Sequence, residues 1–467
     1  MPSSDLVTGY TSGPFRRAVS YEPHRDLIAA VTNAFGTTLI SAFNYANDAA
    51  GCRISRIDTF DGDLTTNTFG YNIRYEVTSA AMGTNSYGYA YDPIGNRLFS
   101  SHNAETNAYT ANSLNQYTVI SNLCGSVNLC EPFYDADGNM TADERGFHYA
   151  WNGENRLVCA SNDEVVVTYV YDHHGRMARK ETAHKGIVTQ RMEYVWDGWN
   201  IIQEILVTCN SALVTDNVWG LDLDGTLQGV GGVGGLLAVL QDNGTFFPTC
   251  DANGNITEYI SANGALAAHY EHSAFGEPVG SRGEQAALFT HQFSTKPYCA
   301  TIGLSEYQMR TYRAEIGRWL SRDMIVENVK SLGFSVGVNL FAHFEICVYC
   351  MCRNDLLCAI DVLGFGEHGQ IFNGRIIVDK RCNGISVRGI DMDNATVHVV
   401  SAGESTSRKI DVDFIEFDGK WYKISWHTVK IIPDEKSKGC PCKMDIDLRE
   451  ATSAELEDIH KKLGEQK

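Results

Sequence analysis

The sequence lacks any long apolar run and has little proline. None of its apolar segments approaches the roughly 18 consecutive residues of a membrane-spanning helix, so no transmembrane segment is expected. The 467 residues contain 10 prolines but 43 glycines, which favours many tight turns. The N-terminal residues have neither the basic nor the apolar region of a signal peptide. If this chain is a fragment of an exported protein, we expect the export signal upstream.

Cysteine is too sparse for a disulfide-dense scaffold, with 14 in 467 residues. The cluster of Cys347, Cys350, Cys352 and Cys358 has no second Cys-x-x-Cys pair at zinc-finger spacing. We therefore expect neither a metal nor a cofactor. The net charge is -19, and most of the acidic excess precedes residue 366. That part of the chain is not expected to bind nucleic acid.

The sequence is instead dominated by a repeat of an aromatic residue, an aspartate or asparagine, and a glycine. An alternating segment such as Val166–Tyr171 favours a half-buried strand. The Asp-x-x-Gly that follows favours a turn, because aspartate binds its own backbone and glycine accepts a positive φ. The clearest copies are Tyr91–Leu98, Tyr134–Thr141, Tyr149–Leu157 and Tyr169–Met177, with weaker ones starting at Tyr194, Val218 and Asp251.

Each repeat is therefore predicted to be a strand, a tight turn and a return strand. A single hairpin cannot bury its apolar face, so successive hairpins must pair edge to edge. We predict a mainly β fold, a long antiparallel ribbon that coils because strands twist. Gly229–Gly235 is glycine-rich, but no Gly-Lys-Ser/Thr follows it. We interpret this segment as close chain packing rather than a phosphate loop.

These repeats resemble the YD repeats of RHS proteins. The segment from Phe293 to Lys296, and then Arg310–Asp323 with its Gly-Arg-Trp-Leu-Ser-Arg-Asp ending, is similar to the RHS repeat-associated core. The resemblance extends over roughly residues 35 to 364. It predicts a YD-repeat β-shell over 1–290, a core over 291–365 and a variable C-terminal module over 366–467.

The resemblance implies a hollow β-shell that encloses a C-terminal polypeptide, commonly a toxin of the bacterial polymorphic type. Many family members free this polypeptide with an aspartic autoprotease. Two nearby carboxylates suit that chemistry, because one ionises and activates water while the other keeps a proton. The matching residues here are Arg322, Asp323 and Asp361, with cleavage after Gly364 or Phe365.

The chain departs from the family pattern around both aspartates. Met324 and Val362 stand where the family has proline, and Phe365 stands where it has leucine. Asp323 and Asp361 are also further apart in sequence than is usual for the family. Two alternatives stay open: the protein cleaves itself near residues 364–365, or the core serves only as a plug.

The C-terminal module has a different pattern, which predicts a small α+β domain. Strands are expected at 375–378, 396–400, 413–417 and 420–426, and a helix is expected after Thr452. Candidate effector residues are His398, His427, Asp418 and Cys442, although the Asp418-Gly419 pair is also a strong hairpin turn.

Three functional hypotheses follow from these observations. The first is an RHS polymorphic toxin, with an immunity protein and a secretion apparatus as partners. The second is a non-enzymatic secreted or cell-surface YD-repeat protein that binds glycans or partner proteins. The third is a decayed copy. The first two place the protein outside the cell or at its surface.

Overall fold

The computed structural model describes residues 6–123, 131–322, 349–354 and 357, together with 386–387, 390–391, 414–417, 420–433 and 442–450. The chain forms two compact units, Met1–His368 and Gly369–Lys467. The predicted boundaries after residues 290 and 365 stay predictions.

The first unit begins with an antiparallel sheet of 11 strands, in which each strand pairs with the next along the chain. This order is the simplest way to join successive hairpins edge to edge. The strands are β1 (Gly9–Ser12), β2 (Phe15–Tyr21), β3 (Ile28–Phe35), β4 (Thr38–Asn47), β5 (Arg53–Phe60), β6 (Asp63–Tyr71), β7 (Val77–Met82), β8 (Asn85–Tyr91), β9 (Arg97–His102), β10 (Glu105–Ala111) and β11 (Tyr117–Asn122).

A second sheet continues the same pattern with 14 strands in chain order. Its longest hairpin joins β18 to β19. The strands are β12 (Phe133–Tyr134), β13 (Met140–Ala142), β14 (His148–Trp151), β15 (Leu157–Ser161), β16 (Val165–Tyr171), β17 (Met177–His184), β18 (Ile187–Asp197), β19 (Asn200–Thr208), β20 (Ala212–Trp219), β21 (Leu236–Gln241), β22 (Gly244–Cys250), β23 (Ile256–Ser261), β24 (Leu266–His272) and β25 (Pro278–Arg282).

The predicted strand–turn–strand unit is confirmed at the Asp-x-x-Gly repeats. In the turn between β8 and β9, the Oδ1 atom of Asp92 accepts hydrogen bonds from the backbone N–H of Ile94 at 3.0 Å and of Asn96 at 2.8 Å. Gly95 has a φ of +95°, which a side chain would disfavour. The side chain of Asn96 also donates to Asp92 Oδ2 at 2.7 Å, which closes the turn.

In several repeats, the aromatic residue directly before the turn aspartate has a further role, which the sequence interpretation missed. Tyr91 donates its hydroxyl hydrogen to the backbone carbonyl of Val77 at 2.7 Å, and Tyr171 does the same to Leu157 at 2.7 Å. Trp196 uses its indole N–H on the carbonyl of Met177, also at 2.7 Å. Each aromatic residue therefore ties its hairpin to an earlier return strand.

A third, smaller sheet lies in the core segment, defined here as residues 291–322. It consists of β26 (Tyr298–Cys299), β27 (Leu304–Glu306), β28 (Thr311–Arg313) and β29 (Arg318–Trp319). Short 3₁₀ turns lie at Phe293–Thr295 and, beyond the core segment, at Met351–Asn354. Trp319 and Tyr312 are buried against Tyr89 of the first sheet.

Other residues of the core segment are buried against the second sheet. Leu304 and Leu320 pack in one apolar cluster with Tyr149 and Val167, and Tyr117 of the first sheet joins it. The core segment therefore has both large sheets packed on it. Each fully buried aromatic or leucine side chain contributes about 1.5–3 kcal/mol of hydrophobic stabilisation.

The start of the first sheet meets the end of the second. The rings of Phe15 and Phe247 stack with centroids 6.1 Å apart. Arg17 is buried and donates to the backbone carbonyl oxygens of Cys250 and Asp251. These contacts join residues more than 200 positions apart, which no repeat pattern specifies.

The second unit is described only through its strands. They are β30 (Ser386–Val387), β31 (Ile390–Asp391), β32 (Phe414–Phe417), β33 (Lys420–Pro433) and β34 (Cys442–Glu450). The strands predicted over 413–417 and 420–426 are confirmed. The other two predicted strands and the helix after Thr452 lie outside the described residues, so the α+β assignment stays a prediction. Within the described parts of both units, no helix is long and apolar enough to cross a membrane.

Candidate functional site

The predicted self-cleavage residues are only partly described. Arg322 belongs to the described core segment, whereas Asp323, Asp361, Gly364 and Phe365 lie outside the described residues. Arg322 and residues 349–354 belong to the segments that lead to Asp323 and Asp361.

The effector candidates are described even less. His398 and Asp418 lie outside the described residues. His427 falls in β33 between Ser425 and Lys430, where the register with β34 shifts. Cys442 begins β34 opposite Pro433. Nothing in these backbone positions assigns a role to any of the four.

Arg322 belongs to a small hydrogen-bond network centred on the hydroxyl of Tyr349. The guanidinium Nε of Arg322 donates to the Tyr349 hydroxyl at 3.3 Å, and the side-chain amide of Gln116 donates to the same oxygen at 3.3 Å. Tyr349 in turn donates to the backbone carbonyl of Gly138 at 2.7 Å. Burial raises the pKa of Tyr349, so its hydroxyl stays protonated and can donate.

The return segment, residues 349–354, runs beside the end of the core segment. The backbone N–H of Trp319 donates to the carbonyl of Tyr349 at 2.9 Å. At the other end of the return segment, the side chain of Asn354 donates to the carbonyl of Gly95 at 2.9 Å and to Glu76 at 3.2 Å. The segment upstream of Asp361 and the residue before Asp323 are thus brought together against shell turns.

Arg318 fastens the core segment to the first sheet. Its buried guanidinium donates to the side-chain oxygen of Asn96 and to the backbone carbonyl of Asn115. The same group lies over the ring of Tyr117, 3.8 Å from the centroid, which is a cation–π contact. Asn96 therefore forms hydrogen bonds both within its own turn and with the core segment.

Ion pairs fasten the core segment to the second sheet. Arg313 pairs with Glu144 and lies 3.4 Å from Asp143, whose carboxyl also pairs with Arg145 at 2.8 Å. Burial alone would raise the pKa of Asp143, but the guanidinium groups of Arg313 and Arg145 hold it below its usual value. The carboxylate therefore stays ionised inside the protein.

A second buried pair joins β17 to β27. Lys180 donates to Glu306 at 2.7 Å, and Tyr169 donates to the other oxygen of the same carboxylate at 3.0 Å. Both pairs bring charges that are separated by well over 100 residues into contact. Sequence inspection alone could not have matched them.

The glycine-rich segment folds around the first motif of the core segment. Lys296 is 1% exposed, and its ammonium donates to the carbonyl of Gly231 and, at 3.0 Å, to the side chain of Gln308. The hydroxyl of Thr295 accepts the N–H of Gly234 at 2.8 Å. The interpretation as close chain packing agrees with these contacts.

Asp222 organises the same loop from within. One of its oxygens accepts the backbone N–H groups of Val230 at 3.1 Å and Gly232 at 2.9 Å. Burial raises the pKa of Asp222 to about 6, despite these hydrogen bonds and the nearby charge of Lys296. Backbone N–H groups of this loop thus donate hydrogen bonds to a carboxylate of the loop itself.

Among the residues that the structure describes, there is no group of three or more His, Cys, Asp or Glu side chains that could hold a metal ion. In the described site, buried arginine, lysine and tyrosine side chains hold the core segment against the turns of the shell. Such an arrangement can hold two chain segments in fixed positions, which is what a plug or a pair of catalytic residues requires.

Comparisons with known proteins agree with this architecture. The sequence profile of the family described as teneurin YD-shell matches residues 37–343. No curated protein matches the chain.

Several solved structures share the fold. The crystal structure of TcdB2-TccC3-TEV has a TM-score of 0.60 at 19% identity, covering 75% of this chain and 18% of that one. TcdB2-TccC3 has a TM-score of 0.59 at 19% identity, covering 75% of this chain and 19% of that one. The Photorhabdus luminescens Tc holotoxin pore has a TM-score of 0.59 at 19% identity, covering 76% and 18%. This chain thus spans less than a fifth of the length of these relatives.

Proposed function

The chain belongs to the teneurin YD-shell family, and we propose that it is the C-terminal portion of an RHS-type toxin shell, which encloses or presents residues 366–467 as an effector. The observation that carries the proposal is the clamped core segment. Its aromatic and aliphatic residues are buried against the two large sheets, and its arginines bind the shell turns. A segment fastened in this way would close the shell at the point where the effector begins.

We further propose that Asp323 and Asp361 cleave the chain near residues 364–365. In this reaction one carboxylate activates water, which attacks the carbonyl carbon of the scissile peptide bond. The protonated carboxyl donates its hydrogen to the departing amide nitrogen, so that one water is consumed and two termini form. Arg322 would position Asp323. The contacts of Arg322 and Trp319 with Tyr349 support this arrangement, because they bring together the segments that precede the two aspartates.

Mass spectrometry of the purified chain tests the cleavage. We expect two fragments, separated after Gly364 or Phe365, and only an intact 51.6 kDa species for Asp323→Asn. Asp172→Asn, in a repeat turn of the second sheet, is the matched control and should still be cleaved. An intact wild-type chain would leave the core segment as a plug without protease activity.

Expression in bacteria tests the effector. We expect a growth defect from residues 366–467 alone, relieved by at least one alanine substitution among His398, His427, Asp418 and Cys442. An immunity protein is the proposed partner that would restore growth, and a secretion apparatus would deliver the protein outside the cell. Unimpaired growth would favour the alternative, a non-enzymatic secreted or cell-surface protein that binds glycans or partner proteins.

A further inference from the structure

The glycine-rich loop, residues 220–235, joins β20 to β21 and contacts the first motif of the core segment. The carbonyl oxygen of Gly231 accepts hydrogen bonds from the buried ammonium of Lys296 and, at 3.2 Å, from the side-chain amide of Gln308. Because glycines have no side chains that could pack, the hydrogen bonds of this backbone determine where it lies.

Asp222 orders this backbone from within the loop. Only 2% of the residue is exposed, and its Oδ2 atom accepts the N–H groups of Val230 at 3.1 Å and Gly232 at 2.9 Å. Val230 and Gly232 are the two neighbours of Gly231 in the chain, so the carboxylate positions the carbonyl group that binds Lys296. A change in the charge of Asp222 can therefore reach the core segment through a single residue.

The other carboxyl oxygen of Asp222 has surroundings that favour a proton. Among the described residues, its Oδ1 atom is buried without a hydrogen-bond partner. It borders the space beside Gly235, where a Cβ atom would lie 2.6 Å from Oδ1 and 3.5 Å from the carbonyl oxygens of Gly220 and Gly232. A negative charge on Oδ1 would thus lie near other electronegative oxygens and away from water. The neutral, protonated carboxyl group avoids this cost.

Two charged groups among the described residues act on Asp222. The ammonium of Lys296, on the core segment, favours the ionised carboxylate, whereas the carboxylate of Asp224, in the same loop, opposes ionisation. Burial outweighs Lys296 and the two N–H donors, and it raises the pKa of Asp222 to about 6. In an opened loop, where the carboxyl group is exposed, the pKa would return to its ordinary value of 3.8. Protonation therefore favours the closed loop.

We propose that Asp222 makes the contact between the glycine-rich loop and the core segment depend on pH: proton uptake strengthens the contact, and proton release weakens it. The added stabilisation is fully present below pH 3.8 and is lost as the pH rises through about 6. The shell would thus be closed more tightly in an acidic medium than at neutral pH. That consequence rests on the proposed role of the core segment as the closure, whereas the pH-dependent contact itself does not.

Hydrogen exchange of the full chain, followed by mass spectrometry at about pH 5 and at about pH 7.5, tests the proposal. Asp222→Asn keeps an oxygen that can accept the two N–H groups but carries no charge at either pH. Comparison of two variants at the same pH cancels the intrinsic pH dependence of exchange. The protection of residues 228–235 in the wild type, relative to Asp222→Asn, should be about tenfold greater at the lower pH, given a pKa of about 6 in the closed loop and 3.8 in the opened one. Residues 293–299 should respond in the same direction.

Asp242→Asn is the matched control, because Asp242 is an exposed aspartate in the turn between β21 and β22. It should exchange like the wild type in both segments at both pH values. If Asp222→Asn does not fold, the wild type alone decides: its protection in residues 228–235, corrected for intrinsic rates, should rise as the pH falls through about 6.

The proposal is overturned if the ratio of wild type to Asp222→Asn is the same at both pH values or if Asp242→Asn shows the same change. It is also overturned if the loop responds and residues 293–299 do not, because the effect then stops short of the core segment. Neither cleavage nor bacterial growth enters this measurement. Its outcome is therefore separate from those of the experiments on the proposed function.

Discussion

At the scale of single residues, the aromatic position before the turn holds side chains that have a hydrogen-bond donor as well as a ring. Tyr91 and Tyr171 use a hydroxyl for this purpose, and Trp196 and Trp219 use an indole N–H, each on a backbone carbonyl 2.7 Å away. This explains why tryptophan replaces tyrosine in some copies. Phenylalanine would fill the same space but would leave the carbonyl without this partner.

Tyr171→Phe should therefore destabilise the protein by about 1 kcal/mol, because the carbonyl of Leu157 loses a donor in a partly buried place. The change in the urea midpoint of unfolding measures this effect. Tyr194→Phe is the control: the buried hydroxyl of Tyr194 has no partner among the described residues, so its removal should cost nothing. Equal losses in the two variants would show that the ring, not the donor, matters.

The residues of the repeat could be predicted from sequence because their interactions are local. Asp92, Gly95 and Asn96 satisfy one another within a single turn. The role of Arg318 could not be predicted from the sequence, because its partners Asn96 and Asn115 lie more than 200 residues away along the chain. Pairings of that range depend on how the whole ribbon curves, and no short pattern encodes the curvature.

At the scale of elements, the turn aspartate organises each hairpin. Asp172 Oδ1 accepts the N–H groups of His174 at 2.8 Å and Arg176 at 2.9 Å. Asparagine takes the same place in other turns: Asn112 Oδ1 accepts the N–H of Leu114 at 2.9 Å. The essential feature is thus the side-chain oxygen and not the charge.

Asp172→Ala should cost about 1–2 kcal/mol, since two backbone donors lose their acceptor, whereas Asp172→Asn should cost much less because it keeps Oδ1. Thermal unfolding of the two variants checks this expectation. A loss in the asparagine variant as large as that in the alanine variant would point to the ion pair with Arg176, at 2.7 Å, as the main contribution.

Two histidines of β24 have opposite electrostatic environments. Although burial opposes protonation of His269, hydrogen bonds to Glu258 and Glu271 raise its pKa above 6.5, and Arg282 on β25 opposes them only weakly. Phe60 of the first sheet stacks on its ring with centroids 4.1 Å apart. Burial instead lowers the pKa of His272 to about 4.

The two residues should therefore give opposite pH dependences. The stabilisation from His269 is fully present below pH 6.5 and is lost as the pH rises through its raised pKa. His272 is neutral in the folded protein, so stability falls as the pH drops from 6.5 towards 4, where only the unfolded chain binds that proton.

Unfolding temperatures measured across this pH range separate the two effects. His269→Gln should flatten the decline on the alkaline side, and His272→Leu should flatten the decline on the acid side. His173→Gln, in a repeat turn outside β24, is the matched control substitution. If both slopes persist in both variants, other groups dominate the pH dependence.

At the scale of the whole molecule, the coiled β architecture followed from the sequence, whereas the closure of the shell did not. Edge-to-edge pairing of hairpins was predicted from Val166–Tyr171 and its copies, and the sheet order confirms it. The contact of Phe15 with Phe247 was not foreseen, because neither residue belongs to a repeat motif. The candidate cleavage residues came from a resemblance, and only Arg322 of that set lies among the described residues.

The core segment should hold the shell together through Arg318, so Arg318→Leu should destabilise the first sheet as well as the core segment. Loss of its hydrogen bonds and of the contact with Tyr117 should cost about 2–3 kcal/mol. Hydrogen exchange should accelerate both in the core segment and in the turns at Asp92 and Asn112. Arg191→Leu is the control, because Arg191 lies on the surface with only a weak pair to Glu193 at 3.7 Å, and such pairs contribute little. If hydrogen exchange becomes faster only in the core segment, the stability of the first sheet does not depend on the core segment.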